Sequence, residues 1–269
     1  MEAGARTAVA TSGLTRRFDG HVAVDGLDLE VERGAFFGLI GSNGAGKTTL
    51  LKMLTTLLPP TSGSARVAGF DVVREPREVR RRIGYVPQLI SADGGLTGRE
   101  NLQLFARLYG VERSDREPRI GRALDFMGLA DVGDTLVRTY SGGMIRRLEI
   151  AQALLHRPAM VLLDEPTVGL DPVARSSVWD RLKELRARFG TTVLLTTHEM
   201  EEVDSLCDRI AILHRGRLVA TGSPAELKAS LGERGTMNDV FVRYTGGRID
   251  ERGAYRDVAA ARRTSERLR

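Results

Sequence analysis

Eight consecutive residues, Gly41, Ser42, Asn43, Gly44, Ala45, Gly46, Lys47 and Thr48, fit the pattern G-x-x-x-x-G-K-[ST]. No other stretch limits the fold so tightly. The pattern holds phosphate only where a buried strand hands over to a helix: the glycines let backbone amides converge on the anion, and the helix start adds a favourable dipole. Both flanks fit. Phe36 to Ile40 is a short apolar run, and Lys47 to Leu58 carries apolar residues at helical spacing until Pro59 and Pro60 end it. Lys47 then suits the β/γ oxygens of a nucleoside triphosphate and Thr48 suits Mg²⁺, with Thr49 a further candidate phosphate contact.

The remaining chain alternates in a way that extends this unit. Before it, Val22, Val24, Leu27, Leu29 and Val31 are spaced for a small antiparallel β region, with Gly20, Gly26 and Gly34 at turns. After it, residues of about 88–157 favour helix, with apolar residues three and four apart over Glu100 to Tyr109 and Ile120 to Met127. Strands return at Met160 to Leu163, Val193 to Thr196 and Ile210 to His214, separated by helices over Pro172 to Arg188 and Glu199 to Cys207. Such β and α alternation predicts a parallel sheet in an α/β fold, with an N-terminal antiparallel β region and an inserted helical subdomain. There is no internal repeat, so residues 1–230 read as one module and 231–269 as a basic tail whose pattern decays after about Leu231.

Composition narrows the function classes. The apolar runs fall far short of the roughly 18 residues that span a bilayer, and Met1 to Leu14 lacks the apolar core of a secretory signal. A cytoplasmic protein is the expectation. Cys207 is the single cysteine among 269 residues, which precludes an internal disulfide and leaves packing as its expected role. The net charge of +5 is carried largely by residues 247–269, with seven Arg against four acidic residues, so the body is nearly balanced and nucleic acid is not an expected partner. His21, His156 and His214 read as structural, and Trp179 as core.

Met160 to Leu163 ends in Asp164 and Glu165, two carboxylates at the end of a buried strand. Strand-terminal acids often only cap the next loop. Beside a phosphate loop they take other roles: Asp164 in the Mg²⁺ shell and Glu165 as general base on the attacking water. Ser141, Gly142 and Gly143 open a helix, where a hydroxyl and unpaired amides form an anion site without a lysine; Ser141 also suits a simple N-cap, and the two roles are compatible.

Tyr140 to Arg147, upstream of the acidic strand, resembles the signature sequence of ABC ATPases. The resemblance covers roughly residues 9–230 and takes in Tyr85 to Gln88, Gly169 to Pro172 and Thr197 to Glu199 in the family's order. It implies an α/β P-loop NTPase core of RecA-like type, ATP and Mg²⁺ as cofactors, hydrolysis at a site completed by Ser141 to Gly143 of a second ATPase subunit, and a separate multi-spanning membrane permease whose cytoplasmic face this chain would occupy. It also implies that Gln88 touches water and Mg²⁺ and begins the segment that meets the permease, that His198 bonds the γ-phosphate, and that Phe18 stacks on adenine. An ordinary strand aromatic is the lesser alternative for Phe18, and Asp171 is sufficiently explained as the cap of the helix at Pro172. Met144 stands where the family commonly has Gln. With that methionine and the stretch Asp71 to Tyr85, the chain is similar to the daunorubicin/doxorubicin-resistance branch of ABC-2 type exporters, implying drug or hydrophobic cargo. ABC ATPases that act on DNA or ribosomes are the alternative, but only 94 positions separate Lys47 from Ser141, too few for the coiled coil of the DNA-repair members, and the translation members carry two modules.

Overall fold

The computed structural model describes residues 6–232 and 235–246. Strands β1 (Thr7–Phe18) and β2 (His21–Glu32) form a long antiparallel hairpin. Its turn, Asp19 and Gly20, has positive φ at both residues, as a type I′ turn requires. From Leu27 to Glu32 burial alternates strictly, with Leu27, Leu29 and Val31 inward and Asp28, Glu30 and Glu32 outward, the pattern of a sheet with one wet face. Strands β4 (Ser62–Val67) and β5 (Phe70–Asp71) complete this sheet in the order β2-β1-β4-β5.

The second sheet runs β10-β9-β3-β8-β7-β6, from β3 (Phe36–Ile40), β6 (Ile83–Val86), β7 (Met160–Asp164), β8 (Thr192–Thr197), β9 (Arg209–His214) and β10 (Arg217–Gly222). All neighbours are parallel except β9 with β10. Strands β3, β7 and β8 are buried at every residue, as expected for a parallel sheet covered on both faces. Ile40 is level with Thr197, Asp164 with Thr196, and Val86 with Leu163. The loops that leave β3, β8, β7 and β6 therefore emerge side by side at the carboxyl edge, where ligands of open parallel sheets bind.

Nine helices of the described residues surround these sheets. The first, α1 (Lys47–Leu54), ends four residues before the expected Leu58: Thr56 turns left-handed with φ 65° and the Leu57 amide returns to the Lys52 carbonyl. Next come α2 (Pro76–Arg82), then α3 (Gly98–Leu108), α4 (Arg113–Phe126) and α5 (Gly142–Leu154), whose Leu102, Ile120, Leu124 and Leu148 share one apolar cluster with Val161, Leu163, Val193 and Leu195 of the parallel sheet. After these, α6 (Pro172–Phe189), α7 (Met200–Leu206) and α8 (Pro224–Ala229) lead to α9 (Met237–Thr245). Where the sequence pattern decays, α9 buries Met237, Val240 and Phe241 in a cluster with Val203, Ile210 and Ile212. The arginines of 247–269 lie outside the described residues.

Candidate functional site

The phosphate loop is locked by its backbone. Gly46 has φ +105°, and a Cβ there would come within 2.4 Å of the Ala23 carbonyl oxygen; one on Gly41 would meet the Leu213 carbonyl oxygen at 2.7 Å. Only glycine fits either place. Lys47, almost fully buried, donates through Nζ to the Gly41 carbonyl at 2.6 Å and pairs with Glu165 Oε1 at 3.1 Å. Thr48 Oγ1 donates to Asp164 Oδ1 at 3.2 Å, which also accepts from Thr196 Oγ1 at 2.7 Å. Burial raises Asp164 above the usual carboxylate range against these two hydroxyl bonds.

Glu165 leaves β7 with φ 51°, in the left-handed region, its amide held by Thr196 Oγ1 at 2.9 Å. A non-glycine residue in this region costs about 1–3 kcal/mol and marks sites where the surroundings over-determine the backbone. Here the left-handed turn aims the carboxylate between Lys47 and His198. Its Oε2 lies 2.8 Å from His198 Nδ1 while Oε1 meets Lys47. Burial opposes ionisation of Glu165, but the His198 hydrogen bond and the Lys47 charge outweigh it and hold the carboxyl below its ordinary value. The same bond raises His198, against the burial that would lower it.

An open cleft of about 430 Å³ lies over these groups. It is lined by Ser42, Asn43, Gly44, Ala45, Gly46, Lys47, Thr48 and Thr49, together with Glu165, His198, Gln88 and Phe18. Gly41 and Asp164 stand behind this lining, reached through Lys47 and Thr48. Phe18 is two-fifths exposed, and the Arg16 guanidinium sits 4.5 Å from its ring centroid, pinned by the Pro59 carbonyl. His21 pairs with Phe18 across the hairpin end and also lines the cleft, which corrects its reading as a purely structural histidine.

Ser141 to Gly143 are not among the residues lining this cleft. They open α5, with Ser141 and Gly142 exposed. Ser141 Oγ accepts the Met144 amide at 3.3 Å, and the Ser141 amide points back to Met144 Sδ at 3.5 Å. Met144 thus occupies the reciprocal place that Glu or Gln takes in a capping box, with a weaker acceptor. Asp171 Oδ1 accepts from the Val173 and Ala174 amides, a cap of α6. Sequence reasoning missed Glu202: fully buried, it accepts from Thr167 Oγ1 and Trp179 Nε1, both at 2.9 Å, and so ties the loop after Glu165 to the helix after His198.

A cleft with this lysine, hydroxyl and carboxylate set has the chemistry for nucleoside triphosphate, and the comparisons with known proteins decide the kind. The model of the ABC transporter family matches residues 24–168. The chain belongs to the ABC transporter family. It is an ATP-binding and ATP-hydrolysing subunit of that family. It is 51% identical over 225 residues to the daunorubicin/doxorubicin resistance ATP-binding protein DrrA of Streptomyces peucetius, covering 84% of this chain and 68% of that protein. It is 46% identical to the Nod factor export ATP-binding protein I of Burkholderia thailandensis, covering 79% and 69%. Among solved structures, the ATP binding subunit of an ABC transporter superposes with a TM-score of 0.78 at 30% identity, over 88% of this chain and 99% of that one. In this ABC ATPase, among the described residues, no helix is long and apolar enough to cross a membrane.

Proposed function

We propose that two copies of this ABC ATPase share their ATP sites and drive export of a hydrophobic compound through a separate multi-spanning permease, from its cytoplasmic face. The observation that carries the shared site is that one chain's cleft does not include both anion-binding features: it is lined by the phosphate loop, while the helix start at Ser141 is exposed and not among its lining residues. The first amides of that helix have no intrahelical acceptor, so they suit the γ-phosphate held by a partner.

In this reading Lys47 holds the β/γ-phosphate oxygens, the amides of 42–49 cradle the remainder, and Phe18 takes one face of the adenine. Thr48, Asp164 and Gln88 hold Mg²⁺; the hydroxyl and carboxylate oxygens, 3.2 Å apart, are the hard donors that ion takes. When bound, Mg²⁺ neutralises phosphate charge and offsets the burial that raises Asp164. Glu165, kept ionised by His198 and Lys47, accepts the proton of the attacking water, while His198 hydrogen-bonds the γ-phosphate.

Drug or hydrophobic cargo rests on the likeness to DrrA, and export on that likeness together with the Nod factor export relative. A docking face for the permease is supported by Leu89 and Ile90, which follow Gln88 and are more than 60% exposed, and by Leu104 and Leu108, exposed one turn apart on α3. Affinity purification of the chain from detergent-solubilised native membranes tests the partner directly. The expected result is co-purification of a multi-spanning membrane protein; recovery with ribosomes or DNA instead would contradict it.

A further inference from the structure

Helix α5 does more than begin at Ser141. Just over one turn along it, Arg146 and Glu149 form a buried ion pair, 3.0 Å apart, with side chains 7% and 1% exposed. Arg146 donates through Nη1 to the Pro87 carbonyl at 2.9 Å and through Nη2 to the Gln88 carbonyl at 3.2 Å. Glu149 Oε1 accepts from the Ser91 amide and, at 3.0 Å, from Ser91 Oγ. Among the described residues, the hydrogen bonds that hold residues 87–91 run to this one pair. Between the held points, the side chains of Gln88, Leu89 and Ile90 are exposed, that of Gln88 into the ATP cleft.

A buried ion pair is a poor device for stability, because desolvation of both charges consumes most of their attraction and apolar residues of similar volume serve as well. A planar guanidinium that binds two successive carbonyls is a good device for fixing a loop. We propose that Arg146 and Glu149 are positioning residues for ATP hydrolysis: they join the Gln88 loop to the helix that starts at Ser141, so that seating Ser141 on a partner's nucleotide sets the Gln88 carboxamide in its own cleft. This rests on the shared-site reading above.

The test is a kinetic cycle. The double substitution Arg146→Met with Glu149→Leu keeps the core filled and removes the clamp. The expected result is a melting temperature close to that of the parent, KM for ATP unchanged within about twofold, and kcat lowered about tenfold or more. Gln88→Ala alone lowers kcat by a similar factor, and adding the double substitution to it lowers kcat no further, because both act through one group. An unchanged kcat, or losses that multiply, would overturn the clamp. If the double variant does not fold, Arg146→Lys, which keeps the charge but offers only one donor centre, is read in the same cycle with the same two outcomes. If the chain does not pair on ATP at all, the shared site has failed; if it pairs and the cycle shows no coupling, the clamp alone has failed.

Discussion

Glu165 and His198 illustrate how single residues are tuned by their neighbours. Their bond lowers one group and raises the other, so its contribution to stability depends on pH at both ends. For His198, raised in the fold, the contribution is complete below the ordinary histidine value of about 6.5 and is lost as pH rises through the raised one. For Glu165, lowered in the fold, it is present above about 4.3 and is lost as pH falls through the lowered value. Replacing His198 with Ala should therefore lower the melting temperature of the nucleotide-free protein most near pH 5.5, with the difference shrinking towards pH 9. A difference that grows with pH would contradict the ionised pair. Lys47, Thr48, Asp164 and Glu165 were legible in the sequence because their chemistry sits in contiguous motifs. Arg146, Glu202 and His21 were not: Arg146 meets Gln88 from 58 positions away, Glu202 meets Thr167 from 35, and His21 faces the cleft only through hairpin register.

Whole elements were legible where periodicity ran long enough. The buried strands β3, β7 and β8 and the long helix α6 stand close to their expected bounds, since continuous apolar runs and an Asp-Pro start are local signals. Helix α9 was not legible. Its nine residues give little more than two turns, and its cap, Thr236 reciprocated by Asp239, is recognisable only once the apolar face is seen against β9. That face makes the helix a structural element of the described fold. Phe241, 1% exposed, should cost about 3–5 kcal/mol when replaced by Ala, by transfer and cavity terms together. Val242, 40% exposed on the other side, should cost no more than about 0.5 kcal/mol on the same change. Urea unfolding of the two variants separates them; equal costs would mean that α9 does not pack as described.

At the level of the molecule, the strand order explains why residues as distant as Gln88, Glu165 and His198 surround one phosphate loop. Adjacent parallel strands deliver four loops to one edge, and the sequence implied this through its β and α alternation without fixing the order of the strands. The helix start at Ser141 is not among the residues of this chain that line the cleft at that edge. The proposed shared ATP site is thus a statement about assembly as much as about chemistry, and Glu165→Gln isolates it by removing the proposed base while keeping the phosphate loop and the helix start. Hydrolysis by this variant should fall by about 10²–10⁴. Light scattering of Glu165→Gln with and without ATP and Mg²⁺ is the direct measurement. With ATP the mass should be twice the 29.4 kDa of one chain, returning to one chain when Ser141 is also replaced by Arg. A variant that binds ATP yet keeps the mass of a single chain would contradict the shared site.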